Sequence, residues 1–137
     1  NSPPSNGQIE QLKLFLINTF DELKIMNAPD HGIAISGTPT TIVCMIRSIM
    51  DYDDDEVDGS YLMLEDLDSL IGFLKTLSKD SIKEKFGSVI NGREDIILGG
   101  ALILFNIMKL LKLSKVMVSS RGIRHGAIIS YLNSFEV

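Results

Sequence analysis

The sequence predicts one α/β domain in which several helices pack on a short sheet. At 137 residues the chain has the usual length of a single domain, so we expect one domain over residues 1–137. It is 45% hydrophobic and 23% charged, as an ordinary globular protein is. Two short apolar segments are typical of buried strands, and each leads through a turn of small residues into a helix. This order of elements is common in α/β proteins.

Composition and charge exclude several classes of protein. The single cysteine, Cys44, cannot form an internal disulfide, which excludes a small disulfide-stapled secreted fold. The net charge is −5 and the 13 Lys and Arg residues are scattered, whereas nucleic-acid binders carry a basic face. The longest apolar stretch, 96–111, is interrupted by Asn106 and Lys109 and is shorter than the ~20 residues that span a bilayer. We predict a cytoplasmic protein that binds neither nucleic acid nor a membrane.

Apolar periodicity predicts the helices. Residues 1–7 are polar and rich in proline, and we expect them to be a disordered leader before a domain at 8–137. Apolar residues then recur every three or four positions, which predicts a helix over 8–26. Further helices are predicted at about 40–50, 65–77, 78–86, 95–113 and 126–133. The helix at 95–113 is apolar nearly all round, so we expect it to be central and buried.

The predicted strands are too few for a complete sheet. Residues 31–36 and 114–119 are predicted as strands buried on both faces, and 60–64 could add a third. Two such strands do not make a stable sheet alone. The sequence also begins at Asn1 without an initiator methionine. We therefore expect a piece of a longer protein whose remaining strands are encoded upstream.

The turns after the strands predicted at 31–36 and 114–119 are candidate anion sites. If both strands are parallel, both turns lie at the carboxyl edge of the sheet, where open α/β sheets bind ligands. Each turn leads into a helix N-terminus, which offers free N–H groups to an anion. Gly37 would let a backbone approach closely, Thr38 and Thr40 could donate hydroxyls, and Arg124 could add a cation. The alternative is that these are plain strand-to-helix turns.

Arg93 is a further candidate, because a cation at a helix start opposes the helix dipole and is expected to have another partner. The alternative is a solvated arginine paired with Glu94 or Asp95.

An acidic run at 51–58 holds six acids in eight positions. It contains a near-match to a calcium loop, in which Asp54, Glu56, Asp58, Gly59 and Glu65 fall at positions 1, 3, 5, 6 and 12. Glu56 is longer than the Asp or Asn preferred at the third position, and no second calcium loop accompanies it. We favour a solvated acidic connection over a calcium site. No His or Cys stands at zinc spacing, and no Walker or serine-hydrolase motif occurs, so we predict no metal site in this chain.

Four segments, in order, resemble the exopolyphosphatase / guanosine pentaphosphate phosphohydrolase family (Ppx/GppA). Together they cover about residues 31–133. Ile35–Thr41 is similar to its G-G-T-x-T-T turn, Val57–Leu67 to V-x-G-x-x-L-x-x-E-x-L, Gly92–Leu104 to G-R-A-D-V-I-x-A-G-A-x-I-L, and Val118–Gly126 to V-S-D-x-G-L-R-E-G. The sequence departs from the pattern at Ser36, Ser120 and His125, where the family has Gly, Asp and Glu.

The resemblance implies an actin-like, ribonuclease-H-like fold, of which this chain would be a partial second lobe with a short mixed sheet. In the family a phosphate chain lies between two lobes. A first-lobe glutamate activates water, and a D-x-G-G-G-S loop cradles phosphates and helps to hold magnesium. Neither feature occurs in this sequence. The resemblance therefore implies magnesium in the parent enzyme, held mostly by residues absent here, and no catalytic residue in this chain.

The function implied is that of a hydrolase releasing terminal phosphate from polyphosphate or guanosine pentaphosphate. We expect the fragment to be inactive without the first lobe of the same protein. The residues expected to bind phosphate are Gly37, Thr38, Arg93, Ser119, Gly122 and Arg124. The alternative is a non-catalytic module that binds a nucleotide or a protein, or that forms a homodimer through an unpaired sheet edge. A calcium-binding helical module is less favoured.

Overall fold

The computed structural model describes residues 2–25 and 27–135. Its helices are α1 (Asn6–Thr19), α2 (Gly37–Arg47), α3 (Asp54–Val57), α4 (Leu64–Leu74), α5 (Lys79–Phe86), α6 (Ile97–Leu110) and α7 (Ile123–Asn133), with 3₁₀ segments at Asp21–Ile25 and Gly87–Ile90. The six helices expected from periodicity are all present. The short α3 is an addition within the acidic run. None of the helices in these ranges is long and apolar enough to cross a membrane.

A three-stranded mixed sheet lies at the centre. Its strands are β1 (Ile33–Ile35), β2 (Tyr61–Met63) and β3 (Lys115–Ser119), in the order β1-β3-β2. β1 runs parallel to β3, whereas β2 runs antiparallel to it. The predicted short mixed sheet is confirmed. Because β1 and β3 are parallel, their carboxyl ends lie at the same edge of the sheet. The segments that follow them enter α2 and α7 there.

The core lies between this sheet and helices α2, α4 and α6. Ile42, Leu67, Ile97 and Val118 are all at most 1% exposed. α6 contacts α1, α2 and α4, as expected of a central helix. It is not buried all round, however, since Ile103 on the same helix is 39% exposed.

The N-terminal boundary differs from the prediction. α1 begins at Asn6, so residues 6 and 7 form its first turn rather than part of a disordered leader. The cause is a capping box: the Ser5 hydroxyl accepts from the Gln8 backbone N–H at 3.3 Å, and Gln8 Oε1 accepts from the Ser5 N–H at 2.9 Å. α1 ends at Thr19, and the predicted end at residue 26 lies outside the described residues.

The prediction that β1 is buried on both faces is wrong. Ala34 is buried, but Ile33 is 63% and Ile35 is 45% exposed. The strand is an edge of the sheet and, among the described residues, pairs only with β3. Helix α2 contacts β1, and α7 buries none of its residues. One face of β1 is therefore left open.

Candidate functional site

The turns that leave β1 and β3 enclose one cavity of about 440 Å³ at the carboxyl edge of the sheet. Its polar lining comes from Ser36, Gly37, Thr40, Tyr52, Arg93, Ser120, Gly122, Arg124 and His125. No aspartate or glutamate is among the described residues that line it. The lining is therefore neutral or cationic, although the whole chain carries a net charge of −5.

Two helices begin at this cavity. α2 starts at Gly37 and α7 starts at Ile123, and both residues line it. Neither N-cap residue, Ser36 or Gly122, makes a side-chain capping hydrogen bond. The first N–H groups of both helices are thus free of side-chain caps, and both positive dipole ends lie at the same cavity. This arrangement favours an anion.

Arg93 lies against the start of α2. Its Nη1 donates to Thr41 Oγ1 at 3.0 Å. A Cβ added to Gly37 would lie 3.0 Å from the Arg93 Cζ and closer still to Nη2. The guanidinium therefore packs on the Gly37 backbone. It occupies the space that a side chain at position 37 would need.

The charge of Arg93 has no carboxylate partner among the described residues. The alternative pairing with Glu94 or Asp95 is not observed. Asp95 instead pairs with Lys79 at 3.5 Å. A hydrogen bond from its own backbone N–H lowers the pKa of Glu94. Arg93 thus keeps its charge and its remaining N–H donors for the cavity.

The two arginines after β3 differ in their partners. Arg121 is held by Asp58 at 3.5 Å, from Nε to Oδ2, and by Asp54 at 3.6 Å, from Nη2 to Oδ2. Arg124 has no ion-pair or hydrogen-bond partner for its side chain among the residues described. It lines the cavity, and Arg121 does not.

The acidic run positions the turn after β3. Asp58 Oδ1 accepts from Ser119 Oγ and from the Ser120 backbone N–H, both at 2.8 Å, and these bonds lower the pKa of Asp58. The Tyr52 hydroxyl donates to Asp54 Oδ1 at 3.0 Å. The hydroxyls of Ser120 and Tyr52 lower the pKa of Asp54. These carboxylates are therefore engaged in holding the rim of the cavity.

Of the six residues expected to bind phosphate, four line this cavity: Gly37, Arg93, Gly122 and Arg124. Thr38 and Ser119 do not line it. A Cβ added to Gly100 would lie 2.6 Å from the Thr38 methyl group, so Thr38 packs against α6. The Ser119 hydroxyl is committed to Asp58.

Comparison with known proteins gives the family. The sequence profile of the Ppx/GppA phosphatase family matches residues 8–135. The chain belongs to this family. A curated relative, the bifunctional 3-dehydroquinate synthase/phosphatase of Fusobacterium nucleatum, is 31% identical over 98 residues, which are 71% of this chain and 14% of that protein.

Solved structures of the Ppx/GppA family share the fold. A family member from Aquifex aeolicus matches with a TM-score of 0.87 at 23% identity, over 98% of this chain and 43% of that one. The type II variant of the Aquifex aeolicus Ppx/GppA phosphatase gives 0.84 at 24% identity, over 95% and 43%. An exopolyphosphatase-like protein gives 0.83 at 24%, over 96% and 44%. The predicted actin-like fold is confirmed. The chain spans less than half the length of these relatives.

Sequence reasoning missed several lining residues. Ser120 and His125 were noticed only as departures from the Ppx/GppA pattern, and both line the cavity. These departures could have indicated the cavity, since each replaces an acid of the family pattern by a neutral or basic side chain. Tyr52 lay within the acidic run and gave no signal of its own. Thr40 was not missed: it was expected to donate a hydroxyl and it lines the cavity, but its Oγ1 donates to the Gly37 carbonyl at 3.0 Å.

A magnesium ion does not fit the described part of this chain. Magnesium takes oxygen ligands in octahedral geometry, usually with one or two carboxylates, and no carboxylate of the residues that the structure describes lines the cavity. No group of three or more His, Cys, Asp or Glu side chains able to hold a metal comes together within residues 2–25 and 27–135. The five residues of the calcium-loop match do not assemble either: Asp54 lies in α3, Glu65 lies in α4, and Arg121 binds both Asp54 and Asp58.

Proposed function

We propose that this chain supplies the phosphate-binding part of a phosphoanhydride hydrolase. Its substrate would be inorganic polyphosphate or guanosine pentaphosphate, from which the terminal phosphate is released. Membership of the Ppx/GppA phosphatase family supports the reaction class. The observation that carries the proposal is that Arg93 and Arg124, neither with a carboxylate partner among the described residues, line the same cavity, where two helices begin.

The chain's own part in the reaction is to bind and neutralise phosphoryl oxygens. A guanidinium presents N–H donors in a fixed fork that matches phosphate geometry. Arg93 is already oriented by its bond to Thr41, so little ordering remains to be done when an anion binds. The N–H groups at the starts of α2 and α7 add donors at the same place. Such fixed donors stabilise negative charge that develops on a transferring phosphoryl group.

The rest of the reaction requires groups from outside this chain. No carboxylate of residues 2–25 or 27–135 lines the cavity, so these residues offer neither a carboxylate base for water nor a magnesium ligand there. We infer that both come from the remaining part of the whole protein, and that this chain alone binds oligophosphate without hydrolysing it.

Binding is tested by isothermal titration of the chain with inorganic tripolyphosphate at fixed ionic strength. Arg124→Gln should weaken binding about tenfold, because a charge-assisted hydrogen bond is lost. Arg47→Gln is the matched control: it also removes an exposed arginine from a helix, but Arg47 donates to the Glu56 carbonyl outside the cavity. Equal losses in both variants would mean that only general charge attracts the ligand, and would overturn the proposal.

Catalysis is tested by phosphate release from the same ligand. The chain alone should release none above background, with or without magnesium. Turnover at the level of an intact Ppx/GppA enzyme would overturn the inference that essential groups are missing. Competition between tripolyphosphate and guanosine pentaphosphate in the titration would show which of the two substrates the cavity prefers.

A second candidate function is self-association at the open edge of β1. The observation in its favour is that Ile33 and Ile35 are 63% and 45% exposed on a strand paired on one side only among the described residues. Such edges pair readily with a second copy. Sedimentation velocity should then show a dimer that Ile33→Lys converts to a monomer. A monomeric wild-type chain at high concentration would exclude this candidate.

A further inference from the structure

His125 lies on the first turn of α7, and its side chain lines the cavity. Its backbone N–H donates to the Gly122 carbonyl at 3.0 Å, which fixes its place in that turn. The Nδ1 atom is shielded from solvent and has no hydrogen-bond partner among the described residues. About nine in ten buried polar groups in proteins have a partner, so this ring nitrogen is an exception. Because His125 lines the cavity, an anion bound there would supply the missing partner once the ring turns towards it.

We propose that His125 is a third anion ligand of this cavity, and that its imidazolium form binds an oligophosphate together with Arg93 and Arg124. The inference rests on the proposed function, because it assigns a further residue to the same site. It also adds a property that the two arginines cannot give. Arginine stays charged at all relevant pH values, whereas imidazole gains its charge between about pH 8 and pH 5.

The charged groups that line the cavity around His125 are cationic, so the counter-ion of its imidazolium would be the ligand. Arg124 on its own helix and Arg93 before α6 are cationic, and the third titratable group at the cavity is Tyr52. β1 and α2 contribute no titratable side chain to the lining. The nearby Arg121 is bound by Asp54 and Asp58. No carboxylate of the described residues lines the cavity, so a bound anion would be the counter-ion of an imidazolium there.

Anion binding and proton uptake at His125 are therefore linked. A ligand that favours the imidazolium must bind more tightly when the imidazolium is already formed, since coupling between two sites is reciprocal. The ligand itself also titrates, because a terminal phosphate group loses its last proton with a pKa of about 6. Its titration affects every variant equally. The ratio of wild-type to variant affinity at each pH therefore isolates the contribution of His125.

The test is isothermal titration with tripolyphosphate at pH 6, 7 and 8 and constant ionic strength. The wild-type chain should bind about tenfold more tightly than His125→Gln at pH 6, and the two should converge at pH 8. His125→Arg should bind as tightly at pH 8 as at pH 6, apart from the ligand's own titration. His31→Gln is the matched control, since the exposed His31 does not line the cavity. Titrations in two buffers of different ionisation enthalpy should show proton uptake that His125→Gln loses.

The outcomes separate this inference from the function on which it rests. If the wild type binds and His125→Gln shows the same affinity at all three pH values, His125 is not a ligand and the cavity assignment stands. If the wild type binds at none of them, both are overturned. α7 buries none of its residues, so the variants should fold, which circular dichroism checks. Should His125→Gln fail to fold, weaker binding of the wild type than of His125→Arg at pH 8 supports the inference, and equal binding overturns it.

Discussion

The guanidinium of Arg93 rests on the backbone of Gly37, 56 positions earlier in the sequence. Its Nη1 is held by Thr41 at 3.0 Å, and a Cβ on Gly37 would lie 3.0 Å from its Cζ. Glycine is thus required at this position by its neighbour. The absence of a side chain here brings a cation to the first turn of α2, where it supports the anion site.

Gly37→Ala should therefore weaken tripolyphosphate binding about tenfold, because the added methyl group pushes the guanidinium out of place. Because the guanidinium is the far end of a flexible side chain, it can move aside, so the free energy of unfolding should change by less than about 1 kcal/mol. Isothermal titration measures the first effect and chemical unfolding the second. Gly72→Ala in α4 is the control. No described residue comes within 4 Å of its Cβ position, so it should raise the free energy of unfolding by about 0.5–1 kcal/mol and leave binding unchanged. Wild-type affinity in Gly37→Ala would contradict the positioning of Arg93 by Gly37.

Ser36 carries backbone strain at the rim of the same cavity. Its φ of 89° and ψ of 178° fall in a region that only glycine occupies without cost. The Ppx/GppA pattern has glycine at this position. Ser36→Gly should raise the free energy of unfolding by about 1 kcal/mol, since relief of strain exceeds the entropy lost by glycine.

Ser36→Ala is the matched comparison, because it keeps a Cβ and therefore the strain. It should be no more stable than the wild type. If both variants were equally stabilised in urea unfolding, the gain would come from loss of the hydroxyl group and the strain argument would be wrong.

The sequence predicted the helices and the cavity edge better than it predicted which side chains face the cavity. The periodicity placed a helix start near Thr40, whereas α2 begins at Gly37. Thr38 therefore lies inside the helix rather than in the turn before it. A helix fixes the direction of each side chain, at about 100° per residue, and Thr38 packs against Gly100 of α6 rather than facing the cavity. Helix starts depend on caps and on tertiary contacts, and here no side-chain cap marks the start.

The position of Arg93 was beyond sequence reasoning for a related reason. Its unfavourable place before a helix indicated another partner, but not that the partner would be Gly37 and Thr41 of α2. Contacts between distant segments follow from how α2 and α6 pack together. The sequence did not indicate the exposed face of β1, because a short strand of apolar residues has the same pattern whether or not its second face is covered.

The Asp58 carboxylate ties the acidic run to the end of β3 and makes stability depend on pH. The Ser119 hydroxyl and the Ser120 N–H hold its pKa below the usual value of about 3.9. The ionised form is thus favoured in the folded chain. Its stabilisation is fully present above the unfolded pKa and is lost as the pH falls through the lower, folded pKa.

Asp58→Asn should flatten the loss of stability below about pH 4, because the amide oxygen can still accept both bonds but does not titrate. Chemical unfolding at a series of pH values measures this. Asp55→Asn is the control, since the Asp55 carboxylate has no hydrogen-bond or ion-pair partner among the described residues. An acid limb of the same slope in Asp58→Asn and the wild type would contradict the role of Asp58.

Two adjacent glycines of α6 should respond in opposite ways to the same substitution. At Gly100 a Cβ would lie 2.6 Å from the Thr38 methyl group, whereas a Cβ at Gly99 would meet nothing within 4 Å in the part of the chain that the structure describes. Gly100→Ala must therefore separate α6 from the start of α2, at a cost of about 1–3 kcal/mol. Gly99→Ala gains helix propensity without a clash and should raise the free energy of unfolding by about 0.5–1 kcal/mol.

Thermal unfolding of the two variants decides the matter, because they differ by one position and by no other chemistry. Gly100→Ala should also weaken tripolyphosphate binding, since Thr38 lies between Gly37 and the other residues of the first turn that faces the cavity. Gly99→Ala should bind as the wild type does. If Gly100→Ala were as stable as Gly99→Ala, α2 and α6 would not approach as closely as this contact requires, and the placing of Arg93 over Gly37 would lose its support.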